Sequence, residues 1–147
     1  MKRLLHEAKA GKADAQFNLG VFYNNRLDDN GHAIAGNRAE AIKWLLAAAR
    51  QGLPRAQMRL AETYVDRPDT SGSHAKAFLW FLLAKASLEG VHREKARSEC
   101  DRLAAELTPE QMARGVKLAR LWKPRPYAGN RTPRPRRAVD AGGMSDE

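Results

Sequence analysis

Histidine, cysteine and paired carboxylates are the residue types in this sequence that could carry out catalysis or hold a metal ion. The spacing of the four histidines is not typical of metal ligands. They are His6, His32, His74 and His92. The single cysteine, Cys100, follows His92 by eight residues. On a helix that spacing is about 12 Å, which is too far for a base to activate a thiol nucleophile. We therefore predict no metal site and interpret Cys100 as a core residue.

The acidic residues give no stronger indication of an active site. Asp28 with Asp29 and Glu99 with Asp101 are predicted to lie in a loop and on the solvated side of a helix, where neither makes an acid–base pair. The glycines of residues 142–143 belong to the C-terminal tail and do not form a phosphate-binding loop. The sequence therefore predicts a protein that is not an enzyme and that binds no cofactor.

The composition is typical of one helical domain. The chain has 147 residues, and Ala and Leu supply most of the 43% that are hydrophobic. One cysteine excludes an internal disulfide framework. No apolar run reaches the roughly 18 residues that a membrane span needs, so we predict no span. We expect a cytoplasmic protein, with export as the alternative if the true start lies upstream of Met1.

The net charge is +9, and positive charge is densest near the C-terminus, while residues 1–122 carry +6 spread over 122 residues. Residues 123–137 contain six basic residues and no acidic one, and prolines interrupt them. We predict a helical domain over residues 1–122 and a basic, disordered tail over residues 123–147. The tail either keeps the chain soluble or binds an acidic partner such as a protein, an anionic lipid or a nucleic acid. In the second case the candidate contacts are Arg134, Arg136 and Arg137.

An internal repeat is the most informative feature of the sequence. Residues 4–23 align with residues 45–64 after a shift of 41 positions, and eight of the twenty aligned residues are identical. A second similarity joins residues 41–52 to residues 77–90, because both contain Ala-x-x-Trp, then Leu-Leu-Ala, then a glycine. Two similarities in a consistent order indicate a repeated structural unit.

Each unit is predicted to be a pair of helices. Residues 12–24 have helical spacing of apolar positions, and a loop rich in Asn, Asp and Gly follows them. Asn37 is the predicted N-cap of the next helix, and Gly52 is its predicted C-terminal glycine. Ser73 or Ser71 is expected to cap the helix that starts near residue 74.

Two further helices are predicted after Gly90, over residues 92–107 and from Thr108 to Trp122. Thr108 and Gln111 form a capping-box sequence around Pro109. Because Pro124 cannot continue a helix, the last helix should end at Trp122. We expect these two helices to cap one end of the stack, and a helical stub at the N-terminus to cap the other.

The residues that recur in the two copies resemble the Sel-1-like repeat, a relative of the tetratricopeptide repeat. The first copy contains Ala15-Gln16-x-x-Leu19-Gly20-x-x-Tyr23, and the second contains Ala56-Gln57-x-x-Leu60-Ala61-x-x-Tyr64. The resemblance covers roughly residues 4–90. It implies an all-α fold, an α-solenoid of stacked antiparallel helix pairs, which the disordered C-terminal tail predicted from composition would follow.

The resemblance also implies that the protein works as an interaction module or adaptor for a protein or peptide partner. In stacked helix pairs of this kind the first helices line the concave surface. Helical geometry predicts that Asn18 and Phe22 of the first copy, with Arg59 and Thr63 of the second, project onto that surface. Such a mixed polar and aromatic set suits peptide capture, although a plain solvated surface is equally compatible with it. Nucleic-acid binding through the basic tail is the alternative function.

Overall fold

The computed structural model describes residues 2–27, 29–32, 35–66 and 72–127. The described part of the chain contains seven helices, and their bounds are α1 (Lys2–Lys9), α2 (Ala13–Asn24), α3 (Ala35–Arg50), α4 (Pro54–Asp66), α5 (Ser73–Ser87), α6 (Gly90–Ala104) and α7 (Pro109–Leu121). From α1 to α6 each helix packs on the next in the chain, whereas α7 turns back and packs on α5. The predicted all-α solenoid of stacked helix pairs is confirmed.

Local sequence signals explain the start of α7 and the end of α3. The Thr108 hydroxyl accepts a hydrogen bond from the Gln111 amide, and the Gln111 side chain accepts one from the Thr108 amide, so the predicted capping box is confirmed. Gly52 follows α3 with a φ of 99°, a left-handed conformation that glycine adopts without strain.

Two predicted caps were wrong. Asn37 lies inside the first turn of α3, because the helix starts at Ala35, three residues before the start that an Asn37 cap implies. No proline or β-branched residue prevents the helix from extending to that alanine, the best helix former. Ser73 is the first residue of α5 and is buried, while Gly72 occupies the cap position without a side-chain hydrogen bond.

The recurring aromatic residues belong to the interior of the stack. Trp44 and Trp80 are 2% and 7% exposed, and Phe81, in the same cluster as Trp80, is fully buried. Ala8, Ala48 and Ala49 have no exposed area, so the helices approach one another closely at these positions. The core therefore combines a few large rings with many small side chains.

The repeated glutamines join successive helix pairs. The Gln16 side chain donates to the Ala8 carbonyl at 3.0 Å, and Gln57, 41 residues later, donates to the Ala49 carbonyl at 3.2 Å. Both glutamines are buried. The Gln16 oxygen also accepts a hydrogen bond from Gln51 at 2.8 Å, whereas the Gln57 oxygen has no partner among the described residues. These glutamines satisfy buried carbonyls at the ends of preceding helices and therefore have a structural role.

Two glycines allow close helix contacts. A Cβ atom on Gly20 would lie 2.7 Å from Cγ of Leu45, which places α2 directly against α3. A Cβ atom on Gly115 would lie 2.8 Å from a ring carbon of Phe78, which places α7 directly against α5. Both distances are too short for a real Cβ contact, so each helix pair depends on the absence of a side chain at that position.

Residues 122–127, which we call the strap, leave α7 and lie along α3. The Trp122 ring contacts Trp80 edge-to-face at 6.3 Å, and the Tyr127 ring lies 6.2 Å from Trp44. The Arg125 amide donates to the Arg50 carbonyl at 2.7 Å. Residues 123–127 were predicted as the start of the disordered tail, and the structure differs here because aromatic contacts and this hydrogen bond hold them on the helices. The rest of the predicted tail lies outside the described residues.

Candidate protein-binding groove

The first helices of successive pairs, α2, α4 and α6, line a continuous groove. It consists of two cavities of about 390 Å³ and about 440 Å³ that share three residues, Arg59, Glu62 and Lys95. These three side chains come from the middle of α4 and from α6. The groove therefore crosses the stack from one first helix to the next.

One half of the groove, the apolar half, contains Phe17, Met58 and Leu88. The guanidinium of Arg55 lies 4.8 Å from the centre of the Phe17 ring. The same guanidinium is 2.7 Å from a carboxylate oxygen of Asp14. The cation–π contact and the ion pair together hold Arg55 over the ring, so a basic side chain borders the apolar surface.

The other half, the charged half, is organised around Glu62. Its carboxylate lies 2.9 Å from the ammonium of Lys95 and 3.8 Å from the guanidinium of Arg59. The hydrogen bond from Lys95 to Glu62, together with the charge of Glu62, raises the pKa of the Lys95 ammonium. Further along α6, Glu99 pairs with Arg102. The charged half thus alternates acidic and basic groups, and each basic group there has a carboxylate partner.

Two of the predicted binding residues line the groove. Arg59 lies where both cavities meet, in agreement with its predicted direction. Thr63 lines the charged half, but it is only 3% exposed and its hydroxyl donates to the Arg59 carbonyl at 2.8 Å. Thr63 therefore forms part of the groove floor and offers little surface to a partner. Whether either residue binds a partner stays a prediction.

The other two predicted residues of the helical domain lie outside the lining of both cavities. Asn18 is exposed, and Phe22 is 39% exposed beneath the guanidinium of Arg26. On α2 the lining residues are Phe17 and Asn24, which are seven residues apart on one helix face. The sequence-based choice was one residue away from Phe17, a rotation of about 100° around the helix. Asn18 and Phe22 stay candidates for a neighbouring part of the surface.

The predicted tail contacts Arg134, Arg136 and Arg137 lie outside the described residues. Sequence reasoning also missed the contribution of α6, which was interpreted as a cap. The signal that could have identified it is Gly90, which has a positive φ like Gly11 and Gly52, the glycines ahead of α2 and α4. Gly90 itself is the first residue of α6, which packs on α5 as α4 packs on α3, so α6 has the position of a third first helix.

The groove does not bring together residues for a catalytic or metal site. In the described ranges no group of three or more His, Cys, Asp or Glu side chains is placed to hold a metal ion. Cys100 is buried, and burial raises the pKa of its thiol to about 11, which disfavours the nucleophilic thiolate. Among the same residues no helix is both long and apolar enough to cross a membrane.

Comparison with known proteins agrees with this architecture. A model of the Sel1 repeat matches residues 13–53 and again residues 54–87, which together make up half of the chain. The first match covers α2 and α3, and the second covers α4 and α5. No curated protein matches the sequence.

Proposed function

The chain belongs to the Sel1 repeat family, and we propose that it is a non-catalytic adaptor that binds a protein or peptide partner in the groove of α2, α4 and α6. Sel1 repeats are helical repeats that generally mediate protein–protein interaction, and the family is a repeat scaffold. The proposal goes further in assigning the binding surface. The cytoplasmic location predicted from the sequence stays a prediction.

The continuity of the groove across three first helices is the observation that carries this proposal. Each of its two cavities, about 390 Å³ and about 440 Å³, has room for large side chains of a partner. Because the cavities adjoin at Arg59, Glu62 and Lys95, they can accept neighbouring residues of one peptide.

The lining of the groove suits a partner that offers an apolar anchor beside charged groups. Phe17, Met58 and Leu88 supply the surface for the anchor. Arg59, Glu62 and Lys95 are paired with one another at the surface, where such pairs contribute little to folding stability. A charged partner can therefore replace one member of these pairs at small cost and gain specificity from the alternating signs.

Affinity capture with groove variants tests the proposal. The full chain and the double variant R59E/K95E would be compared as baits in lysate of the source cell, with bound proteins identified by mass spectrometry. The matched control is R114E/K117E, which changes the net charge equally on the exposed face of α7. Circular dichroism would establish that all three baits are folded.

We expect the full chain and the α7 control to capture the same protein, and the groove variant to lose it. Equal capture by the groove variant would contradict the assignment of the groove. Recovery of nucleic acid alone, lost when residues 128–147 are removed, would instead support the alternative function of the basic tail.

A further inference from the structure

A second pocket, the cationic pocket, lies between α3 and the strap and shares no residue with the groove. It has a volume of about 460 Å³ and is lined on α3 by Lys43, Leu46, Ala47 and Arg50. Arg125, Pro126 and Tyr127 of the strap form its other wall. The pocket exists because the strap returns along the helix after α7 has ended.

Several contacts fix the strap in this position. The Arg125 amide caps the Arg50 carbonyl at the end of α3, at 2.7 Å. Pro124 lies against Gly52. A Cβ atom placed on Gly52 would be 3.5 Å from the proline ring. Tyr127 packs on Trp44 with ring centres 6.2 Å apart. The wall that carries Arg125 is therefore ordered by backbone and aromatic contacts on both sides of that residue.

The charges of the cationic pocket differ from those of the groove. All four basic side chains that line the groove have a carboxylate partner, and they are Arg55, Arg59, Lys95 and Arg102. None of the three basic side chains in the pocket, Lys43, Arg50 and Arg125, pairs with a carboxylate among the described residues. The ammonium of Lys43 instead lies 4.8 Å from the centre of the Trp44 ring. Three positive charges thus border one cavity, and no carboxylate of the described residues pairs with them.

The remaining walls are apolar and aromatic. Leu46, Ala47 and Pro126 supply apolar surface, and Tyr127 presents a ring at one edge. Beyond Tyr127 the next four charged residues of the sequence are all arginines, Arg131, Arg134, Arg136 and Arg137, ahead of Asp140. Positive charge therefore continues along the chain from the pocket.

We propose that the cationic pocket binds an acidic segment of a partner protein that contains an apolar or aromatic residue. The unpaired Lys43, Arg50 and Arg125 would receive carboxylates, and the surface of Leu46, Ala47 and Tyr127 would receive the apolar side chain. A protein segment fits better than a nucleic acid because Tyr127 is the one aromatic ring in the lining, so successive bases would find no stacking platform. This site shares no residue with the groove, so its test does not depend on the proposed function.

Fluorescence anisotropy with a defined probe tests the site. The probe is a labelled peptide in which one phenylalanine is flanked on both sides by glutamates, and the full chain is titrated against it at low and physiological salt. The pocket variant K43Q/R50Q is matched by R114Q/K117Q, which removes the same charge from α7. A47E and A47Q separate charge from bulk, because both fill the same part of the pocket and only one adds a carboxylate.

We expect K43Q/R50Q to weaken peptide binding about tenfold and the α7 control to change it less than about twofold. A47E should weaken binding more than A47Q. The groove variant R59E/K95E should weaken it no more than R114E/K117E does, so the pocket and the groove are tested apart. Equal loss in K43Q/R50Q and R114Q/K117Q would show that net charge alone attracts the peptide and would overturn the site. Stronger binding of oligothymidylate, with the same dependence on Lys43 and Arg50, would overturn it in favour of a nucleic acid.

Discussion

At the scale of single residues, the two buried glutamines occupy the same position in each repeat but have different hydrogen bonds. Gln16 donates to Ala8 and accepts from Gln51, so both of its polar atoms are satisfied. Gln57 donates to Ala49, and its oxygen has no partner among the described residues. Q16M should therefore destabilise the fold by about 2 kcal/mol, because it removes two buried hydrogen bonds.

Q57M should cost less, about 1 kcal/mol, because it removes one hydrogen bond together with one unsatisfied oxygen. Urea denaturation followed by circular dichroism measures both values. A larger loss for Q57M than for Q16M would contradict the assignment of these hydrogen bonds.

Cys100 provides a pH-dependent prediction at the same scale. Burial raises the pKa of its thiol to about 11, whereas an unfolded chain releases this proton near 8.5 to 9. Between the pKa of the unfolded thiol and about 11, the folded chain keeps the proton while the unfolded chain loses it, so a rising pH favours unfolding. The stability that depends on the protonated thiol of Cys100 is fully present below about pH 8.5, and it is lost as the pH rises toward 11.

The variant C100A isolates this contribution, since all other titrations are shared with the natural chain. Unfolding by urea across the alkaline range should show the natural chain losing stability relative to C100A. Iodoacetamide should alkylate folded Cys100 about a hundredfold more slowly than an unfolded thiol. Alkylation of the folded chain at the unfolded rate would contradict the burial of this residue.

At the scale of helices, the contact between α2 and α3 depends on Gly20. A methyl group there would overlap the fully buried Leu45 side chain, and it would also lie 3.2 Å from the Leu45 backbone nitrogen. G20A should destabilise the fold by about 1 to 3 kcal/mol, although alanine normally stabilises a helix relative to glycine.

A double-mutant cycle with Leu45 tests the reason for that loss. In the L45A background the added methyl group has space, so G20A should cost less than in the natural chain, with a coupling energy of about 1 kcal/mol or more. Chemical denaturation of the four proteins gives the cycle. Additive effects would mean that Gly20 is needed for another reason.

The strap is the second helix-scale feature, and Trp122 is its main hydrophobic contact. Its ring meets Trp80 edge-to-face at 6.3 Å, next to the point where Pro124 covers Gly52. W122A should cost about 2 kcal/mol and release the strap. Hydrogen exchange at the Arg125 amide, which bonds to Arg50 at 2.7 Å, should then become fast. Fast exchange of the Arg125 amide proton in the natural chain would contradict the contact of the strap with α3.

Helices and their order could be predicted from the sequence because apolar periodicity and the repeat act locally. Thr108 and Gln111 fix a boundary through their own hydrogen bonds, so the cap of α7 was predicted correctly. The strap could not be predicted, because its proline-rich composition is typical of disorder. What holds it is contact with Trp44 and Trp80, which lie far away in the sequence.

The candidate site was predicted in part for a similar reason. Arg59 was assigned to the groove from repeat geometry alone, which fixes the face of α4. Phe17 was missed because helix rotation within the stack is set by packing against neighbours, and a shift of one residue changes the face. Lys95 was missed because α6 follows the last recognisable repeat.

At the scale of the whole molecule, a helical stack separates two surfaces with different charge patterns. The groove of α2, α4 and α6 alternates Glu62 with Arg59 and Lys95, whereas the cationic pocket of α3 and the strap carries unpaired basic groups. Contacts between neighbouring helices build the groove, as expected for repeat proteins, whereas the cationic pocket also needs the strap, which returns to α3 after α7. The two proposed sites share no lining residue, so we expect each to be occupied independently of the other.

Site-specific photo-crosslinking in the source cell is the most direct test of the central claim, that the groove binds a partner protein. A photoreactive phenylalanine analogue would replace Lys95 in the groove, Lys117 on α7 or Arg134 in the tail, in separate full-length chains. The account predicts a discrete protein adduct from the Lys95 position, with none from Lys117. Adducts from Arg134 alone, or equal adducts from Lys95 and Lys117, would contradict it.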